Sequence, residues 1–369
     1  MGLDGMQHMG NPYFYSVDWG TSRLRVRSID ARSNEVLAST STAEGIASLA
    51  ALDDQGTEGR SRRFAEVLLK QIAAIRSQHS LDDDSCGAAP IIISGMASSS
   101  IGWTVLPYAR VPFPLDGSKL VTRDLGPLDA THAGHVILVS GVRSDDDVLR
   151  GEEVEAIGLA EIMQLSEASF TLVLPGTHSK HMFIESGVMT SFRTFLTGEL
   201  FDLLGRHSVL RHSMSPVHDS APDSLITSPV ANGAFGAGVR HAATEALSAA
   251  LFRIRTRHLL DGETPEANTA FLSGLLIGHE VLTLRARADG RHSIVIAASP
   301  ILASRYHAAA NILELRSVRV AKPSEMAMAV SVAHRSIAMS HRLIDVGDAV
   351  PLAPSLQAVV AQGPENAIL

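Results

Sequence analysis

The chain has 369 residues, 45% of them hydrophobic and 19% charged, which is enough for two compact units with real cores. Gly 29 and Pro 16 are an everyday share and exclude a collagen-like repeat or a wholly disordered chain. Lys+Arg 31 against Asp+Glu 39 leaves a net charge of -8 with no concentrated basic patch, so no nucleic-acid partner is expected.

A single cysteine, Cys86, permits no internal disulfide and no CxxC metal knuckle, which fits a reducing compartment and makes the cytoplasm the expected location. Residues 1–12 lack a charged and apolar export signal, and no window approaches the roughly 18 uninterrupted apolar residues of a spanning helix. No membrane association is expected.

In chain order, residues 13–18, 24–29 and 35–40 read as strands separated by a tight turn and a polar turn, so a β-meander opens the protein. Phe64, Leu68, Ile72 and Ile75 recur at helical spacing, and 90–93 is a short apolar strand. The proline-rich stretch 102–116 reads as an extended loop, 135–140 as a buried strand, and 152–163 as a helix with acidic residues in its first turn. The opening pattern then returns. Strands at 171–174, 181–185 and 188–192 surround the turn Pro175-Gly176-Thr177-His178, an apparent duplication of the first meander. Helices are expected at 196–206, 233–250, 267–287, 301–313 and 324–343, with strands at 293–297 and 317–320; beyond 343 at most a short helix near 356–361 is expected.

Asp18-Trp19-Gly20-Thr21 closes the first strand. In such a hairpin Gly20 admits a phosphate to the backbone, turn N–H groups and the Thr21 hydroxyl donate to its oxygens, and Asp18 can hold magnesium through water. The ordinary alternative is a turn with an Asx interaction. Gly176 and Thr177 occupy the same place in the second hairpin, with Lys180 nearby for positive charge, so two facing phosphate loops are expected to clamp a nucleotide tail. His178 and His181 are read as structural rather than zinc ligands.

Asp145-Asp146-Asp147, just before the acidic helix, would supply a general base, the alternative being a solvated loop and cap. Arg193 and the cap candidate Thr197 would face an anionic substrate group, unless Arg193 merely pairs with Glu199. Gly274 and Gly278, four apart in an apolar helix after Ser273, imply either close helix packing or contact with a flat ligand such as adenine. No GxxxxGK[ST], HExxH, GxSxG or strand-linked GxGxxG is present.

Taken together, these motifs, with Gly95-Met96-Ala97-Ser98-Ser99, Asp147 to Glu153 and Phe271 to Gly278, resemble the 2-dehydro-3-deoxygalactonokinase family from about Tyr13 to Leu343. The resemblance implies an α/β protein of two ribonuclease H-like lobes in the actin-like ATPase (sugar kinase) superfamily, with a cleft between them. It implies an N-terminal lobe over 13–151, a C-terminal lobe over 152–343 that includes a linking helix at 152–165, and a tail at 344–369. The implied reaction is transfer of the ATP γ-phosphate, with Mg2+, to the 6-hydroxyl of 2-dehydro-3-deoxy-D-galactonate in galactonate or galactose breakdown. It further implies Asp147 as base with Asp146 second and Arg150 beside them, and Asp18 as the magnesium residue. Gly20, Thr21, Gly176, Thr177, Lys180, Ser273 and Gly274 would hold the nucleotide, and Arg193, Thr197, Glu199 and Glu152 the substrate. Ser299 stands where the family tends to carry glycine. A homodimer is left open. Competing readings are a kinase for the gluconate epimer and a non-catalytic sugar-responsive regulator of the same fold.

Overall fold

A computed structural model describes residues 11–51, 56–78, 87–216, 229–285, 292–344 and 346. Cys86 and the expected helix at 356–361 lie outside these residues. The chain divides into two compact units. The first runs to Glu167 and takes in Ser186–Thr190 and the chain from Ala327; the second comprises Ala168–Glu185 and Ser191–Met326.

In the first unit, β1 (Tyr13–Trp19), β2 (Leu24–Asp30) and β3 (Val36–Thr42) form the antiparallel meander, followed by the short α1 (Ile46–Ala50) and α2 (Gly56–Gln78). Next come β4 (Ile91–Gly95), β5 (Ala109–Arg110), β6 (Phe113–Pro114), β7 (Thr122–Asp129) and β8 (His132–Val139). Two short strands, β9 (Val142–Arg143) and β10 (Val148–Leu149), and helix α3 (Glu152–Ile162) complete the run. The sheet order is β3-β2-β1-β4-β8-β7, with β4 parallel to β1 and β8 parallel to β4. Being central, β1 and β4 are largely buried on both faces, whereas β2 alternates buried Leu24 and Val26 with exposed Arg25. The helical stripe Phe64, Leu68, Ile72 and Ile75 is buried against this sheet, where Phe64 meets Trp19 at a ring distance of 5.0 Å. Replacing Phe64 by alanine would cost about 3–5 kcal/mol. Strand β7 was not anticipated: Gly126 and Pro127 interrupt its alternation, and its pairing with β8 shifts register there. The loop expected at 102–116 contains β5 and β6, each only two residues long.

The second unit holds β11 (Phe170–Leu174), β12 (Ser179–Glu185) and most of β13 (Val188–Phe195), then α4 (Thr197–His207), α5 (Pro229–Ala242), α6 (Leu247–Leu260) and α7 (Pro265–Leu282). After these come β14 (Ser293–Ile296), α8 (Pro300–Ile312), β15 (Val318–Val320) and the start of α9 (Pro323–Ser340), whose remainder from Ala327 belongs to the first unit. Its sheet runs β15-β14-β11-β12-β13; β11 and β12 are antiparallel, while β14 is parallel to β11 and β15. Numbered within its own unit, the first sheet runs 3-2-1-4-6-5 and the second 3-2-1-4-5, so both share the ribonuclease H-like core 3-2-1-4 and the duplication seen in the two meanders extends to the topology.

Two expectations change. The helix read over 233–250 is two helices, α5 and α6, because the chain turns at Thr244, whose hydroxyl donates to the His241 carbonyl at 3.3 Å. Helix α3, which the sequence reading placed at the start of the second lobe, packs with the first unit, where a Cβ on Gly158 would lie 1.8 Å from the Ala329 oxygen. The α9 segment there is pinned by buried polar contacts: Ser16 Oγ meets His334 Nδ1 at 2.9 Å, and Arg335 Nε donates to the Ala31 carbonyl at 2.6 Å.

Candidate active site

In the first unit the β1–β2 hairpin presents Asp18, one-third exposed, with Oδ2 accepting from Arg25 Nη1 at 2.9 Å. Beneath it Trp19 is fully buried, its indole donating to the Glu44 carbonyl at 2.9 Å, which fixes the end of the strand. Thr21 is exposed at the tip. The Gly20 N–H does not reach outward as expected: it donates to the Arg23 carbonyl at 2.9 Å to close the turn, while the Gly20 and Thr21 carbonyls accept from the start of α1. Only room for a close approach remains at Gly20, where an added Cβ would meet nothing nearer than the Arg23 oxygen at 3.5 Å.

Beside the hairpin, Gly95 ends β4 with φ +89, and a Cβ there would lie 2.8 Å from the Trp19 oxygen. Gly151, the N-cap of α3, approaches Gly95 in turn, an added Cβ lying 3.4 Å from the Gly95 Cα. The start of α3 is thereby brought to the β1–β2 hairpin within one unit. Just upstream, Ser144 organises the acidic loop, accepting from the Asp147 N–H at 2.9 Å and donating to Asp146 Oδ1 at 2.9 Å. Asp147 is half-buried with Oδ1 accepting from the Val148 N–H at 2.7 Å; Asp146 is exposed. Arg150 is held away from a free role by a bond to the Ser98 carbonyl at 2.8 Å, a second to Ser98 Oγ, and the Tyr108 ring 4.2 Å beneath its guanidinium. Glu152 Oε2 accepts from the Arg150 N–H at 2.8 Å, a cap within the loop.

The sequence reading missed Glu153 and Glu155. Burial, then the neighbouring Glu152, pushes Glu153 up to about 8 even though its carboxylate accepts the Gly151 N–H. Burial, then Asp18, then Glu152 pushes Glu155 up to about 8, against the opposing pull of Arg25. Glu155 is therefore protonated near neutral pH, beside Asp18. Among the described residues no three His, Cys, Asp or Glu groups are placed to hold a metal. Mg2+ needs no such cage, since one or two carboxylates, waters and substrate phosphates suffice, and the hard oxygen of Asp18 fits that mode.

In the second unit the β11–β12 turn carries Gly176 and Thr177. An added Cβ on Gly176 would meet nothing within 4 Å, so the fold leaves space there that a ligand can use. Thr177 is exposed, and its carbonyl accepts from the Glu199 N–H at 3.1 Å, joining the turn to α4. The Glu199 carboxylate pairs with His178 at 2.6 Å rather than with Arg193, which is exposed on β13. Lys180 is buried on β12. A shallow open pocket lies beside this turn, with Gly176, Thr197 and Gly198 at one end and Phe201, Leu276, Ile277 and Leu302 giving it apolar walls. Ser273, Arg305 and Tyr306 supply its polar edges. Ser299 is the exposed N-cap of α8, the helix that contributes Leu302, Arg305 and Tyr306.

Two more expectations are corrected here. Thr197 is the first residue of α4, with Leu196 as N-cap, and its hydroxyl donates to the buried Glu280 carboxylate instead of capping the helix. Gly274 serves helix packing, because a Cβ there would lie 2.1 Å from the Phe235 oxygen of α5; no flat ligand fits between. Its neighbour Ser273 does line the pocket.

Two sheets sharing the core order 3-2-1-4, each with a Gly-Thr turn after its first strand, give the chain the actin-like ATPase, ribonuclease H-like fold. The family profile of 2-keto-3-deoxy-galactonokinase matches residues 18–332. The chain is 30% identical over 310 residues to Escherichia coli (strain K12) 2-dehydro-3-deoxygalactonokinase, covering 80% of this chain and 88% of that one. It is likewise 30% identical over 300 residues to a Rhizobium meliloti (strain 1021) protein provisionally given the same name, with the same coverages. A Sinorhizobium meliloti crystal structure provisionally described as a 2-dehydro-3-deoxygalactonokinase superimposes with TM-score 0.69 at 28% identity, covering 88% of this chain and 99% of that one. The chain belongs to the 2-keto-3-deoxy-galactonokinase family. It is an ATP-using phosphotransferase with an alcohol group as acceptor, acting on a small sugar acid in carbohydrate metabolism. Among the described residues no helix is long and apolar enough to cross a membrane.

Proposed function

We propose that the chain transfers the γ-phosphate of ATP to the 6-hydroxyl of 2-dehydro-3-deoxy-D-galactonate, with the nucleotide base in the second-unit pocket and phosphates at both Gly-Thr turns. The observation that carries this reading is the unfilled space at Gly176, at the mouth of a pocket with apolar walls and a few polar edges, which suits a purine and its phosphate tail. Asp147 is the base. Its carboxylate takes the proton of the 6-hydroxyl as the O6 to γ-phosphorus bond forms and the bond to the β,γ-bridging oxygen breaks, releasing ADP. Asp18, oriented by its ion pair with Arg25, would hold the nucleotide's Mg2+ through water. Bound Mg2+ neutralises charge on the transferring phosphoryl group. With Arg150 committed to Ser98 and Tyr108, exposed Arg193 is the better partner for the substrate carboxylate. An ADP-release assay across 2-keto-3-deoxy sugar acids tests the reading: the galactonate epimer should give the highest kcat/KM, and absence of ATP turnover with every sugar acid would overturn it.

A further inference from the structure

One buried carboxylate in the second unit has no part in the reaction just described. Glu280, on the inner face of α7, is 2% exposed and accepts four hydrogen bonds. Ser179 Oγ donates at 2.5 Å and His181 Nε2 at 2.8 Å to Oε1; Tyr306 OH donates at 2.7 Å, and Thr197 Oγ1 also donates, to Oε2. Ser179 and His181 are two apart on β12 and so present the same face to it. Four elements meet at this one group: the strand leaving the Gly176 turn, the start of α4, α7, and α8.

The same elements wall the pocket. Thr197 and Tyr306 line it directly, Gly176 stands three residues before Ser179, and α7 contributes Ser273, Leu276 and Ile277. Glu280 does not line the pocket and so has no direct contact with its contents. Burial works to raise its carboxyl, but the bonds from His181, Ser179 and Thr197 outweigh this and hold it below the usual range, so it remains a carboxylate. A buried charge with four donors is a demanding node: a neutral replacement of the same shape must point an amide N–H at one of those donors. An apolar core would hold α7 as well without that demand.

We infer that Glu280 is a positioning residue of the nucleotide site, fixing the Gly176 turn, the start of α4 and the Tyr306 wall in the one arrangement that accepts the nucleotide. This inference rests on the proposed nucleotide reading of the pocket. It assigns Glu280 an effect on nucleotide affinity and none on the sugar acid.

The test measures binding of a fluorescent ADP analogue, together with KM for ATP, KM for the sugar acid and kcat, in the full chain and in Glu280→Gln. The expected result is roughly tenfold weaker analogue binding and a matching rise in KM for ATP. KM for the sugar acid should stay within about twofold. Thr197→Val and Tyr306→Phe, each removing one donor, should move the same two quantities by about threefold and decide the matter if Glu280→Gln does not fold. Analogue binding by the wild type with unchanged affinity in the variants, or equal losses for ATP and sugar acid, would overturn the role of Glu280. A wild type that does not bind the analogue would instead overturn the nucleotide assignment itself.

Discussion

Asp18 and Arg25 face each other across the β1–β2 hairpin, paired in register and joined by a 2.9 Å ion pair beside the Gly20-Thr21 turn. The pair is too exposed to contribute much to stability, but it orients the Asp18 carboxylate that would hold Mg2+ in the proposed reaction. Asp18→Asn is therefore expected to lower kcat about a hundredfold and raise the Mg2+ concentration needed for half-maximal rate, with a melting temperature close to wild type. Steady-state kinetics over a magnesium series, with a thermal melt, checks this.

Asp147 is the base in the proposed reaction, and Ser144 holds its loop through the Asp147 backbone N–H. Asp147→Asn should keep the loop and lower kcat by about 10²–10⁴ while analogue binding stays near wild type. Near-normal kcat in that variant would transfer the role to another group, Asp146 first.

The two glycines at 176 and 274 should respond oppositely to alanine. At Gly274 the new Cβ meets the Phe235 backbone, so Gly274→Ala should destabilise the second unit by about 3 kcal/mol, read as a fall of several degrees in Tm. At Gly176 it meets nothing in the protein, so Gly176→Ala should melt normally and show a raised KM for ATP. A normal KM there would remove the ligand reading of the open space.

Stability should fall on both sides of a pH optimum for two identifiable reasons. His334 is buried, and burial followed by the charge of Arg27 lowers it to about 3. Its folded pKa lies below the unfolded 6.5, so its contribution is present above pH 6.5 and lost as pH falls toward 3. Glu153, raised from 4.5 to about 8, contributes fully below pH 4.5 and progressively less as pH rises through 8. Thermal melts at acid, neutral and alkaline pH should show Glu153→Gln losing less stability than wild type on the alkaline side, and His334→Asn losing less on the acid side.

The elements themselves were largely legible because their signals are local. The meander strands, the Phe64-to-Ile75 stripe and the repeated Gly-Thr turns are patterns of period 2, period 3.6 and turn chemistry, each contained in a few neighbouring residues. Where local signals conflicted, as at Thr244 or in the Gly126-Pro127 strand, the boundaries moved.

The sequence by itself determined an α/β chain of two repeated hairpins carrying Asp18, Thr21 and Thr177 at turn positions, since the residue types and their spacing suffice for that. Only the tertiary structure decided that Gly274 serves a helix contact, that Thr197 spends its hydroxyl on Glu280, and that Glu153 and Glu155 hold protons near neutral pH. Each of these depends on a partner far away in sequence: the Phe235 carbonyl, a carboxylate on another helix, and the shielding from water that a complete core provides. Desolvation and close contact are properties of the assembled interior, and no window of adjacent residues contains them.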